Sequence, residues 1–107
     1  MPTIAQQYHT TLPEWSYIDF APNYAISSDG TVLSLKGRNP RVLRPWLNTR
    51  GYWQVDIDGR PFLVHRLVAH AFLSAPFTDC RVRFINGDRS DVRLANLRWH
   101  PHASASL

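Results

Sequence analysis

Residues 81–99 read RVRFINGDRSDVRLANLRW, and the rest of the chain is organised around this stretch. Polar and apolar side chains alternate over residues 81–85, which is the period of a half-buried strand. Asn86 and Gly87 follow, and both residue types tolerate a positive φ, so this pair is a strong signal for a tight turn. The first half of the stretch therefore predicts a strand that ends in a tight turn.

The second half of the stretch predicts a short helix. The side-chain oxygen of Ser90 or Asp91 is placed to accept hydrogen bonds from the free backbone N–H groups of a helix start. That helix would bury Leu94 and Leu97, and Trp99 follows just past its end. A strand, a turn and a helix within so few residues make a compact supersecondary unit.

A longer helix is predicted upstream, from Val64 to about Leu73. Pro76 limits its extension, because proline lacks the backbone N–H that a helix interior needs. We expect this helix to form the spine between the two flanking parts of the chain. Its apolar stripe follows the i, i+3, i+4, i+7, i+8 spacing of a helix buried on one face: Val64, Leu67, Val68, Ala71 and Phe72.

The residues before this helix predict an antiparallel β meander. Asp58 and Gly59 form a tight turn before its last strand, and a Ser-Asp-Gly turn joins the first two strands. The strands are expected, in order, at residues 24–27, 31–35, 42–47, 52–57 and 60–64.

The 107 residues suit a single domain, and their apolar content is ordinary for a globular protein. No run of about 18 apolar residues is present to span a membrane, and the first ten residues lack the regions of a secretory signal. A lone cysteine, Cys80, excludes an internal disulfide and suits a reducing compartment. We therefore expect a cytoplasmic protein with no membrane association.

Positive charge is placed unevenly along the chain. Residues 1–35 contain no lysine or arginine, and all twelve basic residues lie from Lys36 onward. Eleven of the twelve are arginines, whose planar guanidinium binds phosphate through two hydrogen bonds and stacks on rings. This bias favours a polyanion such as nucleic acid as the partner. The base composition of the genome is a second explanation for the excess of arginine.

Residues 81–99 resemble the core motif of the HNH homing endonucleases of phages, which reads roughly V-(N/D)-H-I-D-G-N-x-x-N-N-R-x-x-N-L-x-W. Residues 64–72 resemble the V-H-R-L-V-A-x-A-F helix of the same family. Residues 15–57 are similar to the NUMOD4 module that often precedes it, chiefly through the YAISSDGTVLSL pattern of residues 24–35. The positions that match the core motif are Val82, Ile85, Gly87, Arg93, Asn96, Leu97 and Trp99.

This resemblance implies an α+β fold with a small antiparallel β module, a central helix and a degenerate ββα-metal (HNH-like) unit. We expect residues 13–99 to form a single composite domain, because its two parts are too small to be independent. The NUMOD4-like β module would cover residues 13–62 and the HNH-like unit residues 63–99. Residues 1–12 are expected to be a flexible arm, and residues 100–107 a tail.

Two motif positions depart from the family. In the family, the N/D-H pair on the strand supplies a metal ligand and then the general base; the corresponding residues here are Arg83 and Phe84. Phenylalanine cannot accept a proton, and arginine is a cation that repels a divalent metal. The third catalytic position falls near Ala105 or Ser106, which are not the ligands that Mg²⁺ prefers. Asn96 remains, so the resemblance implies the scaffold with no catalytic residues, no metal and no cofactor.

The arginines of the predicted strand indicate what replaces that chemistry. Arg81 and Arg83 lie on one face of the strand, where the resemblance places the metal and the scissile phosphate. Arg83 is a candidate for a fixed positive charge in place of the metal; the alternative is a surface arginine paired with Asp88 or Asp91. The residues predicted to contact DNA are Lys36, Arg38, Arg41, Arg44, Arg50, Arg81, Arg83, Arg89 and Arg93.

Five further side chains have both a structural and a functional interpretation. For His65 we favour a structural histidine that is hydrogen-bonded across to the adjacent unit, and for His70 a position facing solvent. Asp88 and Asp91 fit turn formation and helix capping better than a role as replacement metal ligands. Trp46 either packs in the β core, stacks on an unpaired base or, where exposed, marks a protein-binding surface.

Three functional hypotheses follow from the sequence. The leading one is a double-stranded DNA-binding protein derived from an HNH homing endonuclease, without catalytic activity and encoded by a phage or mobile element. The first alternative is a phage protein that uses the scaffold to bind and inhibit a host protein in the bacterial cytoplasm. The second alternative is a residual endonuclease that nicks DNA with a rewired metal site.

Overall fold

The computed structural model describes residues 13–74 and 80–101. The predicted arm, residues 1–12, lies outside this part of the chain, and so do residues 102–107 of the predicted tail. Within the described residues, one helix, α1, spans Val64–Phe72, and one 3₁₀ turn spans Leu94–Asn96. The strands are β1 (Trp15–Ile18), β2 (Ala21–Ser27), β3 (Val32–Ser34), β4 (Arg41–Val42), β5 (Trp46–Leu47), β6 (Trp53–Ile57), β7 (Arg60–Leu63), β8 (Cys80–Phe84) and β9 (Leu97–Pro101).

The strands form three antiparallel sheets. The first has the order β1-β2-β3-β4, the second has the order β5-β6-β7, and the third pairs β8 with β9. We refer to this two-stranded third sheet as the ribbon. In the described part of the chain, antiparallel sheets surround one short helix, which confirms the predicted α+β class.

The single strand predicted over residues 42–47 is wrong, because the structure divides these residues between two sheets. β4 pairs with β3, whereas β5 pairs with β6. Leu43 donates its backbone N–H to the carbonyl of Val32 at 2.9 Å and so continues the first sheet. Pro45 follows, and since it has no N–H to donate, it separates the two strands.

The tight turn predicted at Asp58 and Gly59 is confirmed. Both residues have a positive φ, 52° and 82°, as a two-residue hairpin turn requires, and they join β6 to β7. The Tyr24 hydroxyl donates a hydrogen bond to Asp58 at 3.0 Å. This bond connects the second sheet to the first.

Helix α1 ends one residue before its predicted end and buries the predicted stripe. Val64, Leu67 and Val68 are buried, while Ala71 and Phe72 are half-buried. No helix in the described part of the chain is long and apolar enough to cross a membrane. The stripe packs on a core drawn from all three sheets: Ile18, Ala21, Tyr24, Ile26, Val32, Val55, Ile57 and Leu97.

The short helix predicted from Ser90 or Asp91 is wrong. Residues 85–96 form a loop that ends in the 3₁₀ turn, and Leu97 begins β9. The physical reason is the alternation after the turn, which places Leu97 and Trp99 on the same face of a strand. Leu97 is buried and Trp99 is half-buried, and a strand that packs both side chains toward α1 is favoured over a continued helix.

A tight turn forms here, but it is centred on Ile85 and Asn86 rather than on Asn86 and Gly87, and it does not connect two strands directly. Gly87 has a φ of 78° and donates its N–H to the carbonyl of Phe84 at 3.0 Å. The chain then runs through the loop before it returns as β9. That strand extends to Pro101, beyond the domain boundary expected at Trp99.

Candidate functional site

The two departing motif positions lie on opposite faces of the ribbon. Arg83 is exposed and lies opposite Arg98, whereas Phe84 is half-buried and lies opposite Leu97. Successive residues of a strand face opposite sides, so the difference follows from their adjacency. One position carries an exposed cation, and the other makes an apolar contact with the interior.

Phe84 packs in an aromatic cluster with His65 of α1 and with Tyr52, which precedes β6. The ring centroids of Phe84 and His65 are 4.8 Å apart. The Tyr52 centroid lies 5.2 Å from that of His65 and 6.1 Å from that of Phe84. Ring pairs at these separations stabilise a core beyond the area they bury. Phe84 is therefore a packed residue, and it joins the ribbon to α1.

His65 is buried as expected, with 6% of its surface exposed. Its Nδ1 atom has no hydrogen-bond partner among the described residues, so the expected hydrogen bond to the adjacent unit is not found at this nitrogen. Burial, together with the charge of Arg66, lowers the pKa of His65 to about 4. The imidazole is therefore neutral at pH 7. His70, on the same helix, is exposed as expected, and its ring meets that of Trp99 at 5.0 Å.

Asn96 holds the two ends of the loop together. It is buried; its side-chain oxygen accepts the Asn86 N–H at 2.9 Å, and its Nδ2 donates to the Asp91 carbonyl at 3.0 Å. Its own carbonyl accepts the Ile85 N–H at 2.8 Å. Three hydrogen bonds through one buried residue fix the loop against the end of β8. Asn96 thus positions the loop.

Asp88 and Asp91 organise the loop internally. Asp88 Oδ1 accepts hydrogen bonds from both the N–H and the hydroxyl of Ser90, at 2.9 and 2.6 Å. Asp91 accepts two bonds of 2.8 Å from the Arg93 guanidinium and one of 3.0 Å from Asn86. The Arg93 guanidinium lowers the pKa of Asp91 to about 2. These carboxylates form turns, as expected, but they do not cap a helix.

No carboxylate neutralises Arg83 within the described ranges. Asp91 pairs with Arg93, so the alternative of an Arg83 pair with Asp88 or Asp91 is not found there. In the same part of the chain, no group of three or more His, Cys, Asp or Glu side chains is gathered closely enough to hold a metal ion.

All nine basic side chains predicted to contact DNA are exposed. Some also have partners within the protein. Lys36 forms an ion pair with Asp58. The Arg89 guanidinium donates to the Arg50 carbonyl at 2.8 Å and lies 5.1 Å from the centroid of the Tyr52 ring. Arg89 thereby connects the loop to the segment between β5 and β6.

Sequence reasoning missed two side chains of the ribbon, Arg98 and His100. Arg83 lies opposite Arg98 and Arg81 lies opposite His100, and all four side chains are exposed. We call these four residues the cationic ribbon face. The signal for it is the alternation of Arg98, Trp99 and His100, which the predicted helix and the predicted tail divide between them.

Several aromatic side chains outside the ribbon are also exposed. Trp46 is 39% exposed and therefore does not belong to the core. Trp15, Tyr17 and Phe20 are 46%, 68% and 59% exposed. Tyr17 and Phe20 also line a largely apolar cavity of about 370 Å³ between β1 and α1.

Comparison with known proteins shows which proteins this chain resembles. Residues 62–107 match the model of the HNH endonuclease family, and residues 14–58 match that of the NUMOD4 motif. An uncharacterised HNH endonuclease of Acanthamoeba polyphaga mimivirus is 36% identical over 83 residues, which are 71% of this chain and 20% of the viral protein. The chain is therefore similar to HNH endonucleases over residues 62–107 and matches the NUMOD4 motif ahead of that part.

A solved structure supports the same assignment. The structure described as DNA binding and cleavage by the HNH homing endonuclease I-HmuI superposes with a TM-score of 0.74 at 28% sequence identity. The match covers 87% of this chain and 55% of the I-HmuI chain. The protein thus spans about a fifth of its viral relative and just over half of I-HmuI.

Proposed function

We propose that this protein binds double-stranded DNA through its HNH scaffold and does not cut it by the mechanism of its family. I-HmuI is described as binding and cleaving DNA, which supports DNA as the partner of this relative. We further propose that the protein is encoded by a phage or mobile element and acts in the bacterial cytoplasm.

The proposal rests above all on the residues at the two departing motif positions. Phe84 offers no lone pair to accept a proton from water, and its ring is packed against His65. Arg83 is a permanent cation at the position where the family has a metal ligand. Metal-assisted hydrolysis needs a held metal and an activated water, and these two side chains supply neither.

Arg83 can still serve the binding step. A guanidinium at this position carries the positive charge that the metal would carry in an active relative, and it donates two parallel hydrogen bonds to a phosphate. The phosphate would be held on the exposed Arg83 face of the ribbon without being attacked. The other exposed basic residues would add contacts to the backbone that depend on salt but not on sequence.

The test is binding of the full chain to a mixed-sequence duplex across a salt titration, with Mg²⁺ or Mn²⁺ present. We expect an affinity that falls steeply with salt and DNA that stays intact. The double variant Arg81→Ala/Arg83→Ala should bind more weakly, with a salt slope shallower by about two, one for each lost phosphate contact. Arg60→Ala is the matched control, because Arg60 is an exposed strand arginine outside the predicted set.

Two results would contradict the proposal in different ways. DNA nicking that EDTA abolishes and that Phe84→Ala leaves unchanged would show a residual nuclease with a rewired metal site. Absence of binding even at low salt would remove DNA as the partner.

A host protein is the second candidate partner, and the exposure of Trp46 favours it. A large aromatic side chain with an exposed face is typical of the residues that dominate protein interfaces. In this case Trp46→Ala should abolish capture of a partner from host lysate while leaving the fold intact. Capture that Trp46→Ala leaves unchanged would exclude this surface.

A further inference from the structure

We infer that the cationic ribbon face is the surface that holds the phosphate backbone of a DNA duplex. This inference rests on the proposed function and narrows it to four side chains: Arg81, Arg83, Arg98 and His100. Two of them, Arg98 and His100, lie outside the set that the sequence predicts.

The four side chains form a dense, ordered array. Alternate residues of a strand are about 6.6–6.8 Å apart, and directly opposed residues of an antiparallel pair are about 4.5–5.5 Å apart at Cα. Arg83 faces Arg98 and Arg81 faces His100, so the array measures roughly 7 by 5 Å at the backbone. The major groove of DNA is about 12 Å wide and admits a two-stranded ribbon, whose long side chains then reach the phosphates at its edge.

The ribbon holds this array rigidly. Leu97 is buried and Phe84 packs on His65, so the inner face is anchored to α1. Trp99 adds a hydrogen bond of 3.0 Å from its Nε1 to the Leu73 carbonyl. Binding groups mounted on such packed elements keep their geometry better than groups on loops.

Two like charges face each other in the array. Arg83 and Arg98 are like charges directly opposite each other, an arrangement that destabilises an antiparallel pair. Within residues 13–74 and 80–101, neither arginine forms a salt bridge, whereas Lys36 and Arg93 each have a carboxylate partner. A bound polyanion would relieve the repulsion. The same side chain should therefore weaken the free fold and strengthen DNA binding.

The test uses these two opposite effects of one side chain, on the stability of the free protein and on DNA binding. Arg98→Gln should bind a short mixed-sequence duplex about tenfold more weakly at a fixed salt concentration, with a salt slope shallower by about one. Without DNA, the same variant should melt about 1–3 °C higher at low salt. This gain should vanish at about 1 M salt, where the Debye length is only about 3 Å.

Arg60→Gln is the matched control, since Arg60 is exposed on β7 opposite Ile57 and loses the same charge. It should change neither the affinity nor the melting temperature by a comparable amount. If the wild-type protein binds DNA but Arg98→Gln behaves like Arg60→Gln, the ribbon inference is overturned and DNA binding through another surface stands. A lower melting temperature for Arg98→Gln would overturn the claimed repulsion. If Arg98→Gln does not fold, Arg83→Gln tests the same face by the same comparison, because it removes the other charge of the opposed pair. Failure of the wild type to bind would instead remove the proposed function itself.

Discussion

The buried imidazole of His65 makes the stability of this fold depend on pH. Burial lowers the pKa of His65 from its ordinary value of 6.5 to about 4. Between these two values the unfolded chain binds a proton and the folded chain does not. The stability is therefore complete above about pH 6.5 and falls as the pH decreases toward 4, by about 3 kcal/mol in total.

We expect His65→Phe to remove most of this dependence. A phenyl ring suits a site lined by Tyr52 and Phe84, and it has no nitrogen to leave without a partner. Urea unfolding measured from pH 7 to pH 4.5 should give a falling free energy for the wild type and a nearly flat one for His65→Phe. Asp91 does not contribute in this pH range, because the stability it provides is lost only as the pH falls toward its pKa of about 2.

His70→Gln is the control for the His65 variant. Burial also lowers the pKa of His70, but its side chain is exposed. Its contribution to the pH dependence of stability should therefore be smaller than that of His65. The wild-type slope should therefore persist largely unchanged in His70→Gln. A pH dependence of stability that disappears in His70→Gln and survives in His65→Phe would contradict this prediction and assign the effect to His70.

At the scale of single residues, the site was only partly predictable from the sequence. The motif alone locates Arg83, Phe84 and Asn96, because each occupies a fixed position in a known pattern. The orphaned nitrogen of His65 was not predictable, since it depends on what packs around the ring. Arg98 was missed for a related reason: its role depends on which strand residue lies opposite.

The loop between the two ribbon strands is held in place by the hydrogen bonds of Asn96 and not by a helix. We expect Asn96→Ala to lower the free energy of unfolding by about 2–3 kcal/mol, because it leaves the Asn86 N–H and the Asp91 carbonyl without their partner. Urea denaturation gives this value, and amide hydrogen exchange should show faster exchange at Asn86. Asn39→Ala, at an exposed position, should change neither quantity. An Asn96→Ala protein with wild-type exchange at Asn86 would mean that the loop is held by other bonds.

Elements with local signals were predicted well, and elements with distant partners were not. Helix α1 and the turn at Asp58 and Gly59 follow from periodicity and from residue types that tolerate a positive φ. The division at Pro45 depends on which of two sheets each half joins. β9 depends on pairing with β8 across the whole loop, and the apparent helix cap at Asp91 is a local signal that this pairing overrides.

At the scale of the whole molecule, the NUMOD4-like β module and the HNH-like unit are joined through the loop. The backbone N–H of Leu94 donates to the carbonyl of Ser28 at 2.7 Å. The contact between Arg89 and Arg50 forms a second connection. Gly30 allows a third, because a Cβ at this position would lie only 2.5 Å from a methyl group of Val92.

Gly30→Ala therefore tests whether the two parts fold as one body. The new methyl group overlaps the Val92 side chain and also occupies a backbone with a φ of +92°. We expect urea unfolding to show a loss of about 2–5 kcal/mol, the sum of overpacking and a left-handed backbone. Gly51→Ala is the control, because Gly51 has a similar φ of +84° with nothing within 4 Å, and it should cost about 1–2 kcal/mol.

The double variant Gly30→Ala/Val92→Ala separates the two contributions. Shortening Val92 removes the methyl group that a Cβ at position 30 would meet, so in this background the cost of Gly30→Ala should fall to that of Gly51→Ala. Equal costs of Gly30→Ala with and without Val92 would show that backbone strain alone is responsible and that the close contact does not couple the parts. A smaller cost in the double variant would place the β module and the HNH-like unit in one cooperative fold, because a methyl group in one is then felt through a side chain of the other.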